Sequence, residues 1–374
     1  MKVAIVCDWL VGGGAERVVY ALHEIYPDAP IFTSYISESQ RKVFSDADVH
    51  VLSTAKIPFS GKLRKLLPML RERAFEKLDL SDYDVVLSAS GAEAKGVRTP
   101  ESTLHIDYCH SPTHYYWVRY KEYLQNPGLG LLNPLARIGL KGTIKARRKW
   151  DYTAAQQADV MIANSTITAQ RIAKYYKRDS IVIFPPVDTD RFSVYKNLKR
   201  KGFVVAGRQT PYKRIDIAVE AATSIGAELH VVGDGPEHDR LQRIAGDTIT
   251  FHSQVSDAEM SSYFQTARGF LFTGVEDFGI TPVEAMLCGT PVIAYKAGGA
   301  LDSVVEGVSG TFFSPQTSEA LANVLRDFDE SVYNPDTIRK HAEQFSSTHF
   351  KKSIEKLVQT ELAKKASTAK SKNR

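Results

Sequence analysis

Cysteine is scarce in this sequence: Cys7, Cys109 and Cys288 are the only three in 374 residues. They are far apart, odd in number and form no CxxC pair. That excludes a disulfide framework and a cysteine zinc site, and reads as reduced thiols in a cytosolic protein. Long apolar runs are lacking, since no stretch approaches the ~20 residues needed to span a bilayer. The opening MKVAIVCDWLVGGG meets Asp8 and then glycines without a cleavage region, so it is not read as a signal peptide. No repeat of solenoid period is visible. A large excess of one charge is missing too, because 48 Lys and Arg face 43 Asp and Glu. A net +5 is too little to argue for nucleic acid.

What is present points elsewhere. With 43% hydrophobic and 10% aromatic residues, the chain has material for real cores, and a disordered reading fails. The length admits two ordinary domains. The small net charge hides a strong asymmetry: +8 over residues 1–200, −9 over 201–345 and +6 over 346–374.

Short β-branched runs alternate with longer helical patterns. Strands are expected at Val3–Val6, Pro30–Thr33, Val49–Leu52, Val85–Ser88, Thr103–Tyr108, Val160–Ala163 and Ile181–Phe184. A second series is expected at Phe203–Ala206, Leu229–Val232, Ile249–Phe251, Phe270–Phe272, Val292–Ala294 and Thr311–Phe313. Such alternation implies parallel, doubly wound sheets, and two series imply two Rossmann-like domains. Pro185-Pro186-Val187-Asp188 closes the first series, which places a linker near 186–200. Near the end, Phe350, Ile354, Leu357, Val358 and Leu362 form one helical stripe that must pack on something. The following AKKASTAKSKNR has five basic and no acidic residues and reads as a disordered tail.

Four segments carry candidate chemistry. In EDFGITPVEAMLCGTPVIA (276–294), Glu276 and Glu284 flank the turn Phe278-Gly279-Ile280. Thr281 suits an N-cap and Pro282 a first helical position, which puts Glu284 in the first turn of a helix whose free N–H groups suit a phosphate. The plain alternative is a Thr281–Glu284 capping box. In GRQTPYKR (207–214), Arg208 and Lys213 would project from a loop at the carboxyl end of a strand, where ligands bind in such sheets, or form a solvated surface pair. DWLVGGGAERV (8–18) ends a strand in three glycines, but its spacing is not GxGxxG, and a tight turn accounts for it equally. In YCHSPTHYYWVRY (108–120), His110 follows a strand, and Tyr115, Tyr116, Trp117 and Tyr120 could stack on sugar faces or belong to the core. Residues 61–78, GKLRKLLPMLRERAFEKL, place Leu63, Leu66, Leu67 and Leu70 among six basic residues, a pattern that fits an anionic membrane surface or an ordinary packed helix.

Together, Glu276-x7-Glu284, GRQTPYKR, VGDGPE and GGGAER resemble the retaining glycosyltransferases of family 4, over nearly the whole chain. YCHSPTHYYW, ASGAEAKGV, RRKWD and PPVD look like a branch of bacterial mannosyltransferases that build O-antigen, exopolysaccharide or lipid-linked glycans. The resemblance implies an α/β GT-B fold of two Rossmann-like doubly wound parallel-sheet domains facing across a cleft. Residues 1–190 would bind acceptor, 191–345 would bind the nucleotide sugar, helix 346–362 would return to the first domain, and 363–374 would be a disordered basic tail. It implies a metal-independent hexosyltransferase with no cofactor, taking a hexose from a nucleotide-sugar donor, GDP-mannose foremost, to a glycan or lipid-linked acceptor. No nucleic-acid partner is expected, and the location is cytoplasmic or peripheral on the inner membrane face.

By the same resemblance, Arg208 and Lys213 hold the donor pyrophosphate, Glu284 the ribose, and Glu276 and His110 lie near the reacting sugar. Phe278, Gly279, Ile280 and Thr281 surround the donor, as do Gly207, Gly13 and Gly14. Asp277 stands where many members have glycine. Two further readings stay open. One is a nucleotide-sugar epimerase or phosphorylase of the same fold, although no lysine for a pyridoxal group is identifiable. The other is a non-catalytic sugar-nucleotide-binding protein.

Overall fold

The computed structural model describes residues 1–53, 68–125, 127, 130, 133–195, 199–253 and 255–372, except the side chains of 369–372. Residues 61–67 of the basic leucine-rich stretch and 196–198 of the linker therefore lie outside the described residues. The chain forms two units, Met1–Phe184 with Phe350–Arg374, and Pro185–His349.

The first unit alternates strand and helix. Its elements run β1 (Val3–Cys7), α1 (Gly14–Ile25), β2 (Ile31–Thr33), α2 (Glu38–Val43), β3 (Val49–Val51), α3 (Pro68–Glu76), β4 (Val85–Ser90) and β5 (Leu104–Cys109). They continue with α4 (Tyr120–Gln125), α5 (Asn133–Ala155), β6 (Val160–Ala163), α6 (Thr166–Tyr176) and β7 (Ile181–Val182). Seven parallel strands lie in the order β3-β2-β1-β4-β5-β6-β7. Every residue of β1, β4 and β5 is buried. β1 accordingly reads as a continuous apolar run, as strands covered on both faces do, whereas β4 and β5 mix apolar residues with buried polar ones. Cys7 pairs with both Thr33 and Ala89, so the carboxyl ends of β1, β2 and β4 are level.

The second unit repeats the plan with β8 (Phe203–Ala206), α7 (Ile215–Ile225), β9 (Leu229–Val232), α8 (His238–Ile244), β10 (Ile249–His252), α9 (Asp257–Thr266) and β11 (Gly269–Phe272). It continues with α10 (Ile280–Leu287), β12 (Val292–Tyr295), α11 (Ala300–Ser303), β13 (Gly310–Phe313), α12 (Ser318–Arg326) and α13 (Pro335–Ala342). Its six strands are parallel, in the order β10-β9-β8-β11-β12-β13.

The last helix, α14, runs Ser347–Lys372. Phe350, Ile354 and Val358 are buried in the core of the first unit, with Leu357 and Leu362 packed against it. Residues 363–372 are helical, not the disordered tail that their composition suggested. The segment contains neither glycine nor proline, and Lys365 is tied to the Thr103 carbonyl and the Asp159 carboxylate, both at 2.7 Å. A basic run with two good anchors stays in the helix that precedes it.

Polar groups line one buried patch between β4 and β5. Ser88, Ser90, His105 and Asp107 are fully buried. Ser88 Oγ and Ser90 Oγ donate to the two oxygens of Asp107, at 2.7 and 2.9 Å, and Ser88 Oγ lies 2.8 Å from His105 Nε2. Burial pushes the Asp107 carboxyl up to about 6 from its ordinary 3.8, and pushes the His105 imidazole down to about 4 from 6.5. Folded Asp107 keeps a proton that the unfolded chain has lost, so its contribution to stability falls as pH rises from 3.8 to 6. Folded His105 lacks a proton that the unfolded chain has gained, so its contribution falls as pH drops from 6.5 to 4. The slopes oppose, each worth about 3 kcal/mol. Asp107→Asn removes one of them, so its stability should climb between pH 4.5 and 6.5 more steeply than that of the parent. Trp9, Trp117 and Trp150 all lie in the first unit, so urea unfolding followed by tryptophan fluorescence isolates the effect. Equal slopes in parent and variant would refute it.

Candidate functional site

Each sheet reverses direction once, between β1 and β4 in the first unit and between β8 and β11 in the second. Ligands in open α/β sheets bind outside the carboxyl ends of the strands at that reversal. In the second unit the loop after β8 carries Gly207, Arg208 and Lys213, and the loop after β11 carries Glu276, Phe278 and Gly279. Two motifs more than 60 residues apart in sequence thus flank one switch point.

The two loops are joined by an ion pair. Lys213 Nζ lies 2.6 Å from Glu276 Oε1, and both side chains are largely buried. The Lys213 carbonyl accepts from Thr273 Oγ1 at 3.0 Å, which fixes the backbone beneath. Gly207 (φ +133°) leaves space over which the Lys213 side chain folds, because a Cβ there would stand 2.9 Å from Nζ. Arg208 differs from Lys213. It is exposed, and its guanidinium makes no ion pair or hydrogen bond among the described residues. The loop thus presents one anchored cation and one uncommitted cation.

The helix after the second loop starts earlier than its sequence suggests. Gly279 is the N-cap of α10, with φ +85° and ψ +92°, and no side chain caps the helix. Thr281 and Pro282 are its second and third residues, so Thr281 is not the cap, no Thr281–Glu284 capping box forms, and Glu284 falls in the second turn. The reason is steric: Gly279 takes a backbone conformation that a β-carbon would oppose, and a Cβ there would also meet the Phe272 ring at 2.7 Å. The chain can therefore enter the helix at Ile280. The consequence is an uncapped helix N-terminus beside Glu276 in sequence, with its first N–H groups open to an anion. Glu284 is buried.

A further element was not singled out from the sequence. The loop after β12 brings Gly298 and Gly299 against the 276–279 loop. Gly299 N donates to the Glu276 carbonyl at 2.9 Å, and a Cβ on Gly299 would lie 2.2 Å from the Phe278 oxygen. The signal was the Gly-Gly pair following a strand; it reads as an ordinary turn until the packing is seen. Gly235 of VGDGPE is likewise structural, since its Cβ would meet the Gln209 carbonyl at 2.4 Å. Buried Gln209 donates to the Gly233 carbonyl at 2.7 Å and lies 2.9 Å from His238 Nδ1, which holds this loop to its neighbour. A cleft of about 190 Å³ beside it is lined by Gln209, Arg214, Asp216, Glu237 and Arg240, and includes neither Arg208, Lys213 nor Glu276.

In the first unit, the loops after β1 and β4 meet through Asp8. This buried carboxylate accepts from the backbone N–H groups of Gly91 (2.7 Å), Ala92 (2.8 Å) and Ala94 (2.7 Å). Burial still raises its pKa. Glu16 Oε1 accepts from Val11 N and Gly12 N, at 2.9 and 3.1 Å, and so closes the glycine loop. Gly13 is the N-cap of α1 with extended backbone, and Gly14 is the first helical residue. His110 sits just past β5, half-buried, with its ring against Tyr108 and its N–H on the Ser90 carbonyl.

The aromatics expected to stack on sugars are largely spent inside the fold. Tyr115 OH donates to Glu93, whose carboxylate also takes a bidentate contact from Arg71 (2.8 and 3.1 Å). Tyr116 is buried, and Trp117 stacks on Tyr175 while donating to Asp151 at 2.7 Å. Arg148 covers both Trp117 and Tyr120. Periodicity could not separate these rings from exposed ones, because their partners, Glu93, Asp151 and Tyr175, are remote in sequence.

Comparison with known proteins bears on this arrangement. The model for glycosyl transferases group 1 matches residues 186–367, and that for glycosyltransferase family 4 matches residues 12–191. A D-inositol 3-phosphate glycosyltransferase of Mycolicibacterium smegmatis is 28% identical over 226 residues, 53% of this chain and 52% of that protein. A GDP-mannose-dependent alpha-(1-6)-phosphatidylinositol monomannoside mannosyltransferase of Mycobacterium tuberculosis is 31% identical over 209 residues, 46% of this chain and 54% of that protein. The chain spans about half the length of these relatives. Anabaena HepE, crystallised with UDP, superposes with a TM-score of 0.70 at 19% identity, covering 96% of this chain and 100% of that one. Sucrose-phosphate synthase of Thermosynechococcus elongatus also gives 0.70 at 19% identity, covering 97% and 100%. With two family models tiling it from residue 12 to residue 367, and with two parallel Rossmann-like sheets, the chain belongs to the family 4 glycosyltransferases of GT-B fold.

Proposed function

We propose that this protein transfers a hexosyl group from a nucleotide-sugar donor to a glycan or lipid-linked acceptor, with retention at the anomeric carbon. The observation that carries the reading is the pairing at the β8/β11 switch point of an anchored Lys213, an uncommitted Arg208 and the uncapped start of α10. All three favour an anion, and a diphosphate is an anion with charge enough to engage all three. The mannosyltransferase from Mycobacterium tuberculosis, named as GDP-mannose-dependent, supports GDP-mannose as the donor.

The chemistry follows from where charge develops. The bond from the anomeric carbon to the phosphate oxygen breaks, and its electron pair stays on the diphosphate. The acceptor oxygen forms the new bond on the same face, and its proton passes to the departing phosphate oxygen. Negative charge grows on the leaving group, so Arg208, Lys213 and the α10 N–H groups stabilise the transition state more than the ground state. Glu276 holds Lys213 in place and puts negative charge near the sugar, where positive charge grows on the anomeric carbon. Glu284 binds the ribose, Gly207 and Phe278–Thr281 bring backbone close to the donor, Gly13 and Gly14 serve the donor phosphate and the acceptor, and His110 serves the reacting sugar. The charge balancing is assigned to these side chains, without a metal or cofactor.

A donor screen tests the reading. GDP, UDP and ADP, with GDP-mannose and the matching glucose donors, are added during thermal unfolding. The preferred diphosphate should stabilise by about 3 kcal/mol at a hundred-fold excess over its Kd. The preferred donor should then release its diphosphate faster when lipid-linked or glycan acceptors are supplied. The same shift with UDP alone replaces GDP-mannose by a uridine donor. No shift with any nucleotide, and no release from any donor, would overturn the assignment.

A further inference from the structure

The first half of α5 is attached to its unit along a single edge. Ala136, Leu140 and Ile144 are half-buried, and Arg147 and Asp151, further along the same stripe, are buried. The opposite stripe runs Leu135, Ile138, Gly142, Lys145 and Lys149, with alternating spacings of three and four, and every member is exposed. Leu135 and Ile138 are 69% and 70% exposed, more than any other large apolar side chain described. A Cβ added at Gly139 or Gly142 would meet nothing within 4 Å among the described residues, so this side of the helix is open to them. Lys141 flanks the stripe. Lys141, Lys145 and Lys149 have no ion-pair partner among the described residues, and no acidic residue occurs between Glu122 and Asp151.

Two aliphatic knobs at one end and three unpaired lysines along the rest make a face with two demands. It needs apolar cover and it needs anions. No carboxylate on this part of the helix itself offsets the lysines, and the nearby Glu72 and Glu76 of α3 are engaged by Arg147 and Trp150. The neighbouring helix α3, held to α5 by Arg147–Glu72 and by Trp150 Nε1–Glu76 at 2.7 Å, also exposes Met69, Leu70 and Arg73. Nucleic acid would meet the lysines but give Leu135 and Ile138 nothing to bury against. An anionic bilayer supplies hydrocarbon and phosphate at adjacent depths.

We propose that this face of α5 docks on an anionic lipid surface, with Leu135 and Ile138 in the headgroup–acyl boundary and Lys141, Lys145 and Lys149 on the lipid phosphates. The inference does not depend on the donor chemistry. It centres on α5, and every residue of 61–78, Met69, Leu70 and Arg73 among them, stays unchanged in the variants below.

Co-sedimentation of the full-length protein with vesicles tests it, using phosphatidylcholine alone or mixed with phosphatidylglycerol, at low and high salt. The parent should bind only the mixed vesicles, and high salt should weaken binding. Lys141→Gln/Lys145→Gln/Lys149→Gln should lower the partition coefficient about 100-fold at low salt, at roughly five-fold per lysine. Leu135→Ser/Ile138→Ser should lower it about ten-fold or more while leaving the salt dependence intact. The two variants are independent, so either one that melts like the parent carries the test. Binding to neutral vesicles as strong as to mixed ones, binding to neither, or variants that bind like the parent would each overturn the proposal. So would a dimer that Leu135→Ser/Ile138→Ser converts to monomer without any vesicle binding, since the face would then belong to a second copy of the chain.

Discussion

Replacing Arg208 with alanine is expected to lower kcat/KM about 10²–10³-fold while leaving the melting midpoint unchanged. The size follows from losing one cation aimed at charge that develops in the transition state. The second half of the expectation follows from the structure. Arg208 is exposed and its guanidinium has no partner among the described residues, so its removal leaves no buried group unpaired. Arg208→Lys keeps the charge but loses the planar fork, and should fall between the parent and the alanine variant. Lys213→Ala should cost a similar factor in turnover. It also strips Glu276 of its partner, so a small change in stability should accompany it, moderated by the residual solvent exposure of the pair. Initial-rate measurements with the donor found in the screen, alongside thermal melts, separate the two effects. Arg208→Ala with parental kcat/KM would remove the diphosphate role from this loop. Arg208→Ala that melts far below the parent would show that the residue is structural.

The largest expected effect on stability lies in the first unit, away from any proposed chemistry. Lys95 and Asp151 are both fully buried and 2.9 Å apart. The ammonium donates to Asp151 Oδ1, Thr113 Oγ1 and the Ala92 carbonyl, and so uses all three of its protons. Asp151 accepts in addition from Thr113 at 2.7 Å, and from Trp117 and Tyr176 at its other oxygen, both at 2.7 Å. Neighbouring carboxylates, Asp151 foremost, hold the Lys95 ammonium charged against the opposing effect of burial. Asp151→Ala leaves that charge without its main counter-charge in a dry site, at about 3–5 kcal/mol. Set against the roughly 5–15 kcal/mol that stabilises a typical domain, this should depress the tryptophan-reported melt by roughly 10 °C or unfold the unit outright. Lys95→Met with Asp151→Leu, an apolar pair of similar bulk, removes the unpaired charge and should recover part of the loss, the remainder reflecting the Thr113, Trp117 and Tyr176 donors that lose their acceptor. A single variant that melts within a degree or two of the parent would contradict this account.

The asymmetry of charge takes on meaning here. Several of the cations of the first unit are consumed inside it, as in Arg71–Glu93, Lys95–Asp151 and Arg147–Glu72. RRKWD and ASGAEAKGV are therefore partners in one buried network, joined by Lys95 and Asp151. That network holds the loops after β4 and β5 in place. The lysines left over on α5 stand free of that network.

Sequence alone determined a good deal of this protein. Thirteen strands were legible, because parallel strands covered on both faces leave β-branched runs that turn residues bracket. Their alternation with helices is local information, and so was the doubly wound class. GRQTPYKR and the Glu276–Glu284 segment were legible as candidates because each follows a strand end. What lay outside the sequence depended on contacts between remote residues. The order of strands brings the β8 and β11 loops side by side, and only then does Lys213 meet Glu276. Gly279 displaced Thr281 from the cap because a positive φ is a cheaper way into the helix where the Phe272 ring leaves no space for a side chain. The aromatics of YCHSPTHYYW turned inward because Glu93, Asp151 and Tyr175 awaited them. The tail became helix because Lys365 found Asp159. Periodicity reports which face of an element is apolar. Which polar group a buried side chain will satisfy, and which lysines will be left without one, is settled only when the elements pack.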